Sequence, residues 1–158
     1  MTEEKNIAVS FTAMKKRLIS YRIINEEIDC EIERLDRMHM KAESTGCSLS
    51  GMPRASSTIY DRTADTVAKM IDLESDIKRL ILQRDEERTA LSSLIGMLSH
   101  VGEKEVIRSR YLDLEDWNDV QVVLFGSKPD FDDKYYDYRQ KMFRWHRSAI
   151  KNLAELSN

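Results

Sequence analysis

Two long stretches of the chain carry apolar residues at a spacing of three and four, which places those residues along one face of an α-helix. The first stretch runs from about residue 8 to residue 41, and its seam is Phe11, Met14, Leu18, Tyr21, Ile28, Ile32 and Leu35, continued by His39. The second runs from about residue 58 to residue 99, and its seam is Thr66, Met70, Leu73, Ile77, Leu80, Leu91, Leu94 and Leu98, interrupted by Arg84 and Glu87. The spacing therefore predicts two long helices that each bury one face.

A segment rich in Gly, Ser and Pro separates the two seams. Residues 44–57 read STGCSLSGMPRASS, a composition typical of a loop, in which Met52 and Pro53 can pack back onto the helices. Two helices joined in this way are expected to fold back as an antiparallel hairpin. With the loop centred on this segment, Leu18 would face the region of Gln83, to within about one helical turn.

Asn25 interrupts the first seam with a polar side chain. It either fixes the register against a partner helix or occupies a seam position that tolerates a polar residue near solvent. Further apolar residues lie beside the seams, namely Ile19, Ile24, Met38, Ile71 and Ile81. Because they leave a second surface to cover, we expect self-association into a four-helix arrangement or capture of another protein's helix.

The composition favours long, exposed helices over a large compact core. Charged residues make up 34% of the 158 residues, which include only five glycines and two prolines. Cys30 and Cys47 lack the spacing of metal ligands, so reduced thiols are expected. The first ten residues contain no apolar signal core, and no apolar run approaches membrane-spanning length. We expect a soluble intracellular protein that does not bind membranes.

The last third of the chain predicts three shorter helices. Residues 103–112 and 116–125 read as two short helices, residues 126–132 as a turn, and residues 133–156 as a final helix. The predicted fold class is therefore all-α. We divide the chain into a coiled-coil-like helical hairpin over residues 1–100, which acts as an oligomerisation arm, and a small helix-turn-helix unit over residues 101–158.

The final helix concentrates positive charge. Its cations fall within thirteen residues, and they are Arg139, Lys141, Arg144, Arg147 and Lys151. No acidic residue occurs from residue 138 to residue 154, although the net charge of the whole chain is −3. A compact helical unit with a cationic helix meets the needs of DNA-groove docking, because cations bind phosphates and side chains reach base edges. A solvated amphipathic helix is the other interpretation of this pattern.

The C-terminal helices contain enough apolar residues for a small trihelical core. The predicted core is Tyr111, Leu112, Trp117, Val120, Leu124, Met142, Trp145, Ile150 and Leu153. Four more aromatic residues lie in or near the turn, and they are Phe131, Tyr135, Tyr136 and Tyr138. Most of these four should pack the turn onto the unit, while one tyrosine could reach a phosphate or a base. His146 is expected to be a structural hydrogen-bonding group or a phosphate contact.

The same residues carry a resemblance to a known family. The C-terminal sequence resembles a sigma-factor-like helix-turn-helix. The residues that carry this resemblance are Arg110-Tyr111-Leu112, Trp117, Val120, Leu124, Phe143-Arg144-Trp145-His146-Arg147, Ala149-Ile150 and Leu153. That unit ends a family of small phage and prophage proteins of Gram-positive bacteria. The upstream chain is similar to that family too, through a long helix, the Met52-Pro53 pair and Asp61 at the start of a second long helix. The resemblance covers about residues 32–153.

The resemblance implies a phage transcriptional regulator in the cytoplasm of a bacterial host cell. Such a protein would bind double-stranded DNA through the terminal unit. It would form a homodimer or another homo-oligomer, or bind RNA polymerase or another phage or host protein, through the helical arm. Two residue patterns depart from the family. Residues 127–136 make a longer linker than a simple helix-turn-helix turn, and Phe143 replaces the more usual tyrosine.

The last helix supplies the predicted DNA contacts. Its N-terminal half should enter the major groove, so the candidates for base or phosphate contact are Arg139, Gln140, Lys141 and Arg144. Arg147 and Lys151, one and two turns further on, should lie against the DNA backbone. The acidic stretch 130–137 opposes binding if it lies beside the groove, so it must face solvent or move aside.

No pattern of an enzyme or of a cofactor site is found in the sequence. Asp130, Asp132, Asp133 and Asp137 form one carboxylate cluster, but it lacks the glycine of a calcium loop and any neighbouring histidine. No glycine-rich phosphate loop and no nucleophile with an adjacent base occur. We therefore expect no enzyme activity, no metal and no cofactor.

Two further functions fit the same pattern. A small terminase-like DNA packaging protein also joins a helix-turn-helix to oligomerising helices, but it assembles into rings. A helical protein-protein interaction module that does not bind DNA fits the charge balance of residues 101–158, where ten Lys and Arg against eleven Asp and Glu give −1.

Overall fold

The computed structural model describes the backbone of residues 2–45 and 56–157, with the side chains of residues 10–44 and 64–157. These residues form five α-helices and no strand: α1 Thr2–Thr45, α2 Ser56–Gly96, α3 Val101–Ile107, α4 Trp117–Phe125 and α5 Tyr135–Leu156. A π-helical segment, Arg108–Leu112, follows α3 directly. The predicted all-α fold with a long helical hairpin is confirmed. Most of the predicted loop, including Cys47, Met52 and Pro53, lies outside the described residues.

Contacts divide the chain into two compact units. One contains residues 1–23 together with residues 86–158, and we call it the composite unit. The other contains residues 24–85, and we call it the hairpin segment. This division differs from the expected boundary after residue 100, because the start of α1 and the end of α2 pack with the C-terminal helices. The C-terminal helices therefore share a core with both long helices.

The hairpin segment buries the middle of the predicted seams. Its buried apolar side chains are Ile28, Met70, Leu73 and Ile77. Towards the loop the first seam becomes more open, since Ile32 is 39% exposed and His39 is exposed. Asn25 is half-buried, as a seam position is expected to be.

The first core of the composite unit joins α1 and α2 to the C-terminal helices. Its buried residues come from α1 (Met14, Leu18, Tyr21), from the end of α2 and the turn after it (Leu91, Ile95, Leu98), and from α3 and beyond (Ile107, Tyr111, Leu112, Ala149, Ile150, Leu153, Ala154). Ser10 also donates a hydrogen bond to the carbonyl oxygen of Ala154 at 3.2 Å. The predicted trihelical core is therefore incomplete without α1, because four of its nine members belong to this shared cluster.

Polar pairs fix the register of α1 against α2 within the composite unit. Arg17 Nη2 donates to Glu87 Oε2 at 3.1 Å, and Arg88 Nη1 donates to the Tyr21 hydroxyl at 3.3 Å. The sequence placed Leu18 opposite Gln83, so the observed register differs by about one turn of α-helix. Arg88 also donates to the carbonyl oxygen of Leu112 at 2.8 Å, which satisfies a carbonyl at the end of the π-helical segment.

A tight connection leads from the π-helical segment into α4. Leu114 has a φ of 62°, in the left-handed region that costs a residue with a Cβ about 1 kcal/mol. Arg110 holds this connection by donating to the carbonyl oxygen of Glu115 at 2.7 Å. The Asp116 carboxylate then caps α4 by accepting from the amides of Asn118 at 2.7 Å and Asp119 at 3.0 Å. These two backbone hydrogen bonds hold the pKa of Asp116 below its ordinary value.

The second core of the composite unit is aromatic. Val106, Val120, Phe125 and Met142 are its buried members, and the half-buried side chains of Trp117, Leu124, Phe131, Tyr138 and Trp145 pack against them. Trp117 and Trp145 thus act as the predicted anchors. The Trp145 ring also lies against the second residue of α3, since a Cβ added at Gly102 would meet its carbon atoms at 2.6 Å.

This close approach gives a testable difference between two helical glycines. Gly102→Ala should lower the free energy of unfolding by about 1–3 kcal/mol, because the added methyl group forces the Trp145 ring or α3 to shift. Gly96→Ala is the matched control, since a Cβ there meets no atom within 4 Å. That control should be neutral or stabilising by up to about 1 kcal/mol through its higher helix propensity. Urea unfolding followed by circular dichroism measures both, and equal effects would contradict the packing described.

Candidate nucleic-acid interface

The start of α5 is held against α4 by a polar network. Gln121 on α4 is fully buried, and its Nε2 donates to the carbonyl oxygen of Tyr135 at 2.8 Å. Arg139 Nη1 donates to Asn118 Oδ1 at 2.9 Å, to the Tyr135 hydroxyl at 3.3 Å and to Gln121 Oε1 at 3.4 Å. Arg139, a predicted DNA contact, is therefore half-buried and occupied by bonds that position α5 on α4.

Four of the six predicted contacts lie together on one exposed side of α5. They are Gln140, Arg144, Arg147 and Lys151, at successive steps of four, three and four residues, a spacing that aligns them along a helix. Two exposed aromatic side chains lie on the same side, with Tyr136 exposed by 78% and Phe143 by 40%. We call these six residues the α5 face.

The remaining predicted contact, Lys141, lies on another side of α5. Its Nζ is 4.9 Å from the centre of the Trp145 ring and 5.9 Å from that of Phe125. A cation over aromatic rings gains stabilising electrostatic contact, so Lys141 serves the second core. The four residues predicted to contact DNA together therefore differ in role. Arg139 and Lys141 make contacts within the protein, whereas Gln140 and Arg144 are exposed on the α5 face.

Ion pairing differs between the hairpin segment and the α5 face. In the hairpin segment six cations each lie within 4.0 Å of a carboxylate, and they are Arg34, Arg37, Lys69, Lys78, Arg79 and Arg84. On the α5 face only Lys151 has such a partner, Glu155 at 4.0 Å. Arg144 and Arg147 form no ion pair within the part of the chain that the structure describes. Their charge therefore stays available for an external anion.

The carboxylates of the turn before α5 are partly neutralised. Asp130 accepts from Lys134 Nζ at 2.7 Å and from the Tyr138 hydroxyl at 2.8 Å. These hydrogen bonds hold the pKa of Asp130 below its ordinary value. Asp132, Asp133 and Asp137 are exposed. Exposed negative charge is therefore concentrated near the start of α5, and the cations of the α5 face follow from residue 144 onward.

His146 lies behind the α5 face and belongs to the interior. Its Nε2 is 3.0 Å from the Tyr111 hydroxyl, and its ring lies edge-on to Trp117 with 4.9 Å between the centroids. The pKa of His146 is lowered to about 4, first by burial and then by the positive charges of Lys15 and Arg110. His146 is therefore a neutral hydrogen-bonding group at neutral pH, the first of the two roles expected from the sequence.

Sequence reasoning missed two features of this surface. It treated Tyr136 as one of four similar aromatic residues, yet Phe131, Tyr135 and Tyr138 are half-buried and Tyr136 is exposed. The spacing could have predicted this exposure, because Tyr136 is four residues before Gln140 and so lies on the same side of the helix as Gln140 and Arg147. It also left out Lys15 of α1, whose positive charge lowers the pKa of His146. No local pattern could reveal that long-range neighbour.

Comparison with protein-family models, with characterised proteins and with solved structures finds no match to this chain. Among the described residues no cluster of three or more His, Cys, Asp or Glu is arranged to hold a metal ion. The described helices also include none that is both long enough and apolar enough to span a membrane.

Proposed function

We propose that this protein is a phage-type transcriptional regulator that binds double-stranded DNA through the α5 face. The observation that carries the proposal is the charge of Arg144 and Arg147, which form no ion pair among the described residues, beside an exposed Gln140. Arginine neutralises phosphates and reads guanine, and glutamine reads adenine. The resemblance of the terminal unit to sigma-factor-like helix-turn-helix proteins supports the same function.

The distribution of charge along α5 supports a particular part of the helix as the contact. The exposed Asp132, Asp133 and Asp137 repel phosphates, so DNA contact is proposed to start at Gln140 rather than at the first turn of α5. Arg144, Arg147 and Lys151 then lie beside the DNA backbone. Arg139 takes the role of a positioning residue, because its bonds to α4 set the angle at which α5 projects.

The test begins with selection of a DNA ligand. Wild-type protein is incubated with sheared phage and host genomic DNA, and the retained fragments are sequenced. The affinity of the recovered fragment is then measured over a salt series for three proteins, which are the wild type, the double variant Arg144→Ala/Arg147→Ala and the double variant Arg34→Ala/Arg37→Ala. The last is a matched control, since it removes two arginines that are ion-paired in the hairpin segment.

We expect the Arg144→Ala/Arg147→Ala variant to lose affinity for every DNA sequence. The slope of log affinity against log salt should fall by about two, since each lost phosphate contact removes about 0.9. The Arg34→Ala/Arg37→Ala control should keep the wild-type slope to within about 0.5. An unchanged slope in the first variant, or equal losses in both, would refute DNA binding through this face.

The hairpin segment supports self-association as the second part of the proposal. Val67, Ile71 and Leu82 lie on one side of α2 and are 47%, 61% and 65% exposed. Apolar side chains aligned in this way favour packing against another helix. The same observation is what favours the alternative function, a helical interaction module without DNA binding. Light scattering of the purified protein measures its mass, and a dimer is expected, whereas a large ring would favour a packaging protein.

A further inference from the structure

The start of α1 is built into the unit that carries the α5 face. Met14, Leu18 and Tyr21 share one buried cluster with Ile150 and Leu153 of α5. The bond from Ser10 to the Ala154 carbonyl oxygen ties α1 to the end of α5. The residues of α1 that flank this buried stripe therefore lie beside α5.

Cations collect where these elements meet. The positive charges of Lys15 and Arg110 both lower the pKa of His146, and the charge of Arg22 lowers the pKa of Arg110. Arg110 also lies over the Trp117 ring, with 4.7 Å between its Cζ and the ring centre. None of Lys15, Arg22 and Arg110 forms an ion pair within the described part of the chain. This group of like charges is therefore short of a direct counter-ion.

Lys15 is the accessible member of this group. Its side chain is exposed, whereas Arg22 and Arg110 are half-buried and Arg22 Nη1 is fully shielded. Lys15 and Arg22 are seven residues apart, on the same side of α1. Lys16, the next residue, projects from α1 in a direction about 100° around the helix axis from that of Lys15. Lys15 flanks the apolar stripe by which α1 packs against Ile150 and Leu153, so its exposed charge extends the cationic surface of α5 onto α1.

We propose that Lys15 on α1 binds a backbone phosphate of the double-stranded DNA that lies on the α5 face. This inference rests on the proposed function, and it extends the DNA site across the sequence from residue 151 back to residue 15. Arg22 and Arg110 raise the local positive potential behind Lys15, Asp116 offsets the charge of Arg110 only in part, and a phosphate supplies further counter-charge. The N-terminal helix is thus part of the DNA site as well as of the hairpin.

The test compares two neighbouring lysines on the recovered DNA fragment. Lys15→Ala should weaken binding about eightfold at about 0.1 M salt and lower the salt slope by about 0.9, as expected for one lost phosphate contact. It should weaken selected and unselected sequences alike. Lys15→Arg should keep both values near those of the wild type. Lys16→Ala is the matched control, since it removes the same charge from another side of α1, and its effect should stay below about twofold.

The outcomes separate this inference from the proposed function. If Arg144→Ala/Arg147→Ala weakens binding while Lys15→Ala and Lys16→Ala behave alike, DNA binding stands and the α1 contact is overturned. If neither the double variant nor Lys15→Ala changes binding, the proposed function has failed and the α1 contact with it. Circular dichroism melts of both lysine variants should match the wild type because both side chains are exposed, and a lowered melting temperature for Lys15→Ala alone would assign it a structural role and overturn the proposal.

Discussion

Leu18→Asp should unfold the composite unit, including helices that lie more than eighty residues further along the chain. Leu18 is completely buried and belongs to the cluster that contains Leu91, Tyr111 and Ile150. An aspartate there would place an unpaired carboxylate in an apolar interior, which costs several kcal/mol. Small proteins are stable by only about 5–15 kcal/mol, so this one change should remove most of the stability of the unit.

Both tryptophans report on this unit, which makes the measurement direct. Trp117 and Trp145 lie outside the cluster that contains Leu18, so a red-shifted and solvent-quenched emission would show that the whole unit has opened. Ile19→Asp is the matched control, with the same charge introduced one residue later at a side chain that is 40% exposed. It should change the free energy of unfolding by less than about 1 kcal/mol. Native tryptophan emission in Leu18→Asp would contradict the shared core.

Trp117→Ala should destabilise the composite unit by about 3 kcal/mol, the lower end of the range for buried aromatic residues because Trp117 is half-buried. The indole ring lies 5.0 Å from the centre of Phe143 and 4.9 Å from that of His146. Its loss would leave a cavity between α4 and α5 and free Arg110, which lies over the ring. The midpoint of urea unfolding, followed through the fluorescence of the remaining Trp145, measures the effect.

Trp117→Phe provides the control for this change. It keeps a ring between α4 and α5 and should cost less than about 1.5 kcal/mol. At urea concentrations that open the composite unit of Trp117→Ala and shift the Trp145 emission, far-ultraviolet circular dichroism should retain the part of the helical signal that comes from residues 24–85, since these residues form a compact unit of their own. A loss of less than about 1 kcal/mol in Trp117→Ala would show that Trp117 does not anchor the contact between α4 and α5.

Much of this fold could be predicted because helical periodicity is a local property. The seam from Met14 to Ile28 and the seam from Met70 to Leu98 are regular enough to predict two long helices and their buried faces. The Gly- and Ser-rich segment between them predicts the reversal of the chain. The core positions at Val120 and Met142 follow from the same spacing in α4 and α5.

The missing parts depend on contacts between residues that are far apart in the sequence. The periodicity of α1 shows that Leu18 is buried but cannot show that Ile150 is one of its neighbours. Ile95, which is fully buried, was absent from the predicted seam because Leu94 and Leu98 already satisfied the spacing. The π-helical segment from Arg108 to Leu112 adds a local change of phase that a period of 3.6 does not anticipate.

The cations of the candidate interface could be predicted from the sequence, but their roles could not, because these roles depend on contacts with residues far away in the sequence. A count of charges identifies Arg139, Lys141, Arg144 and Arg147 equally, since all four are cations on one helix. Their roles diverge because Arg139 meets acceptors on α4 and Lys141 meets the rings of Phe125 and Trp145. Only their neighbours separate the cations that hold the protein together from those left for a ligand.

The bond from Ser10 to Ala154 joins residues that are 144 positions apart. During synthesis α1 leaves the ribosome before α5, and part of its apolar stripe has no partner until the last turns of α5 follow. Closing contacts over such a separation is slow compared with forming a single helix. The composite unit therefore completes its structure only after α5 has been synthesised, and a nascent chain that stops before α5 leaves the α5-facing parts of Met14 and Leu18 open to chaperones or other chains.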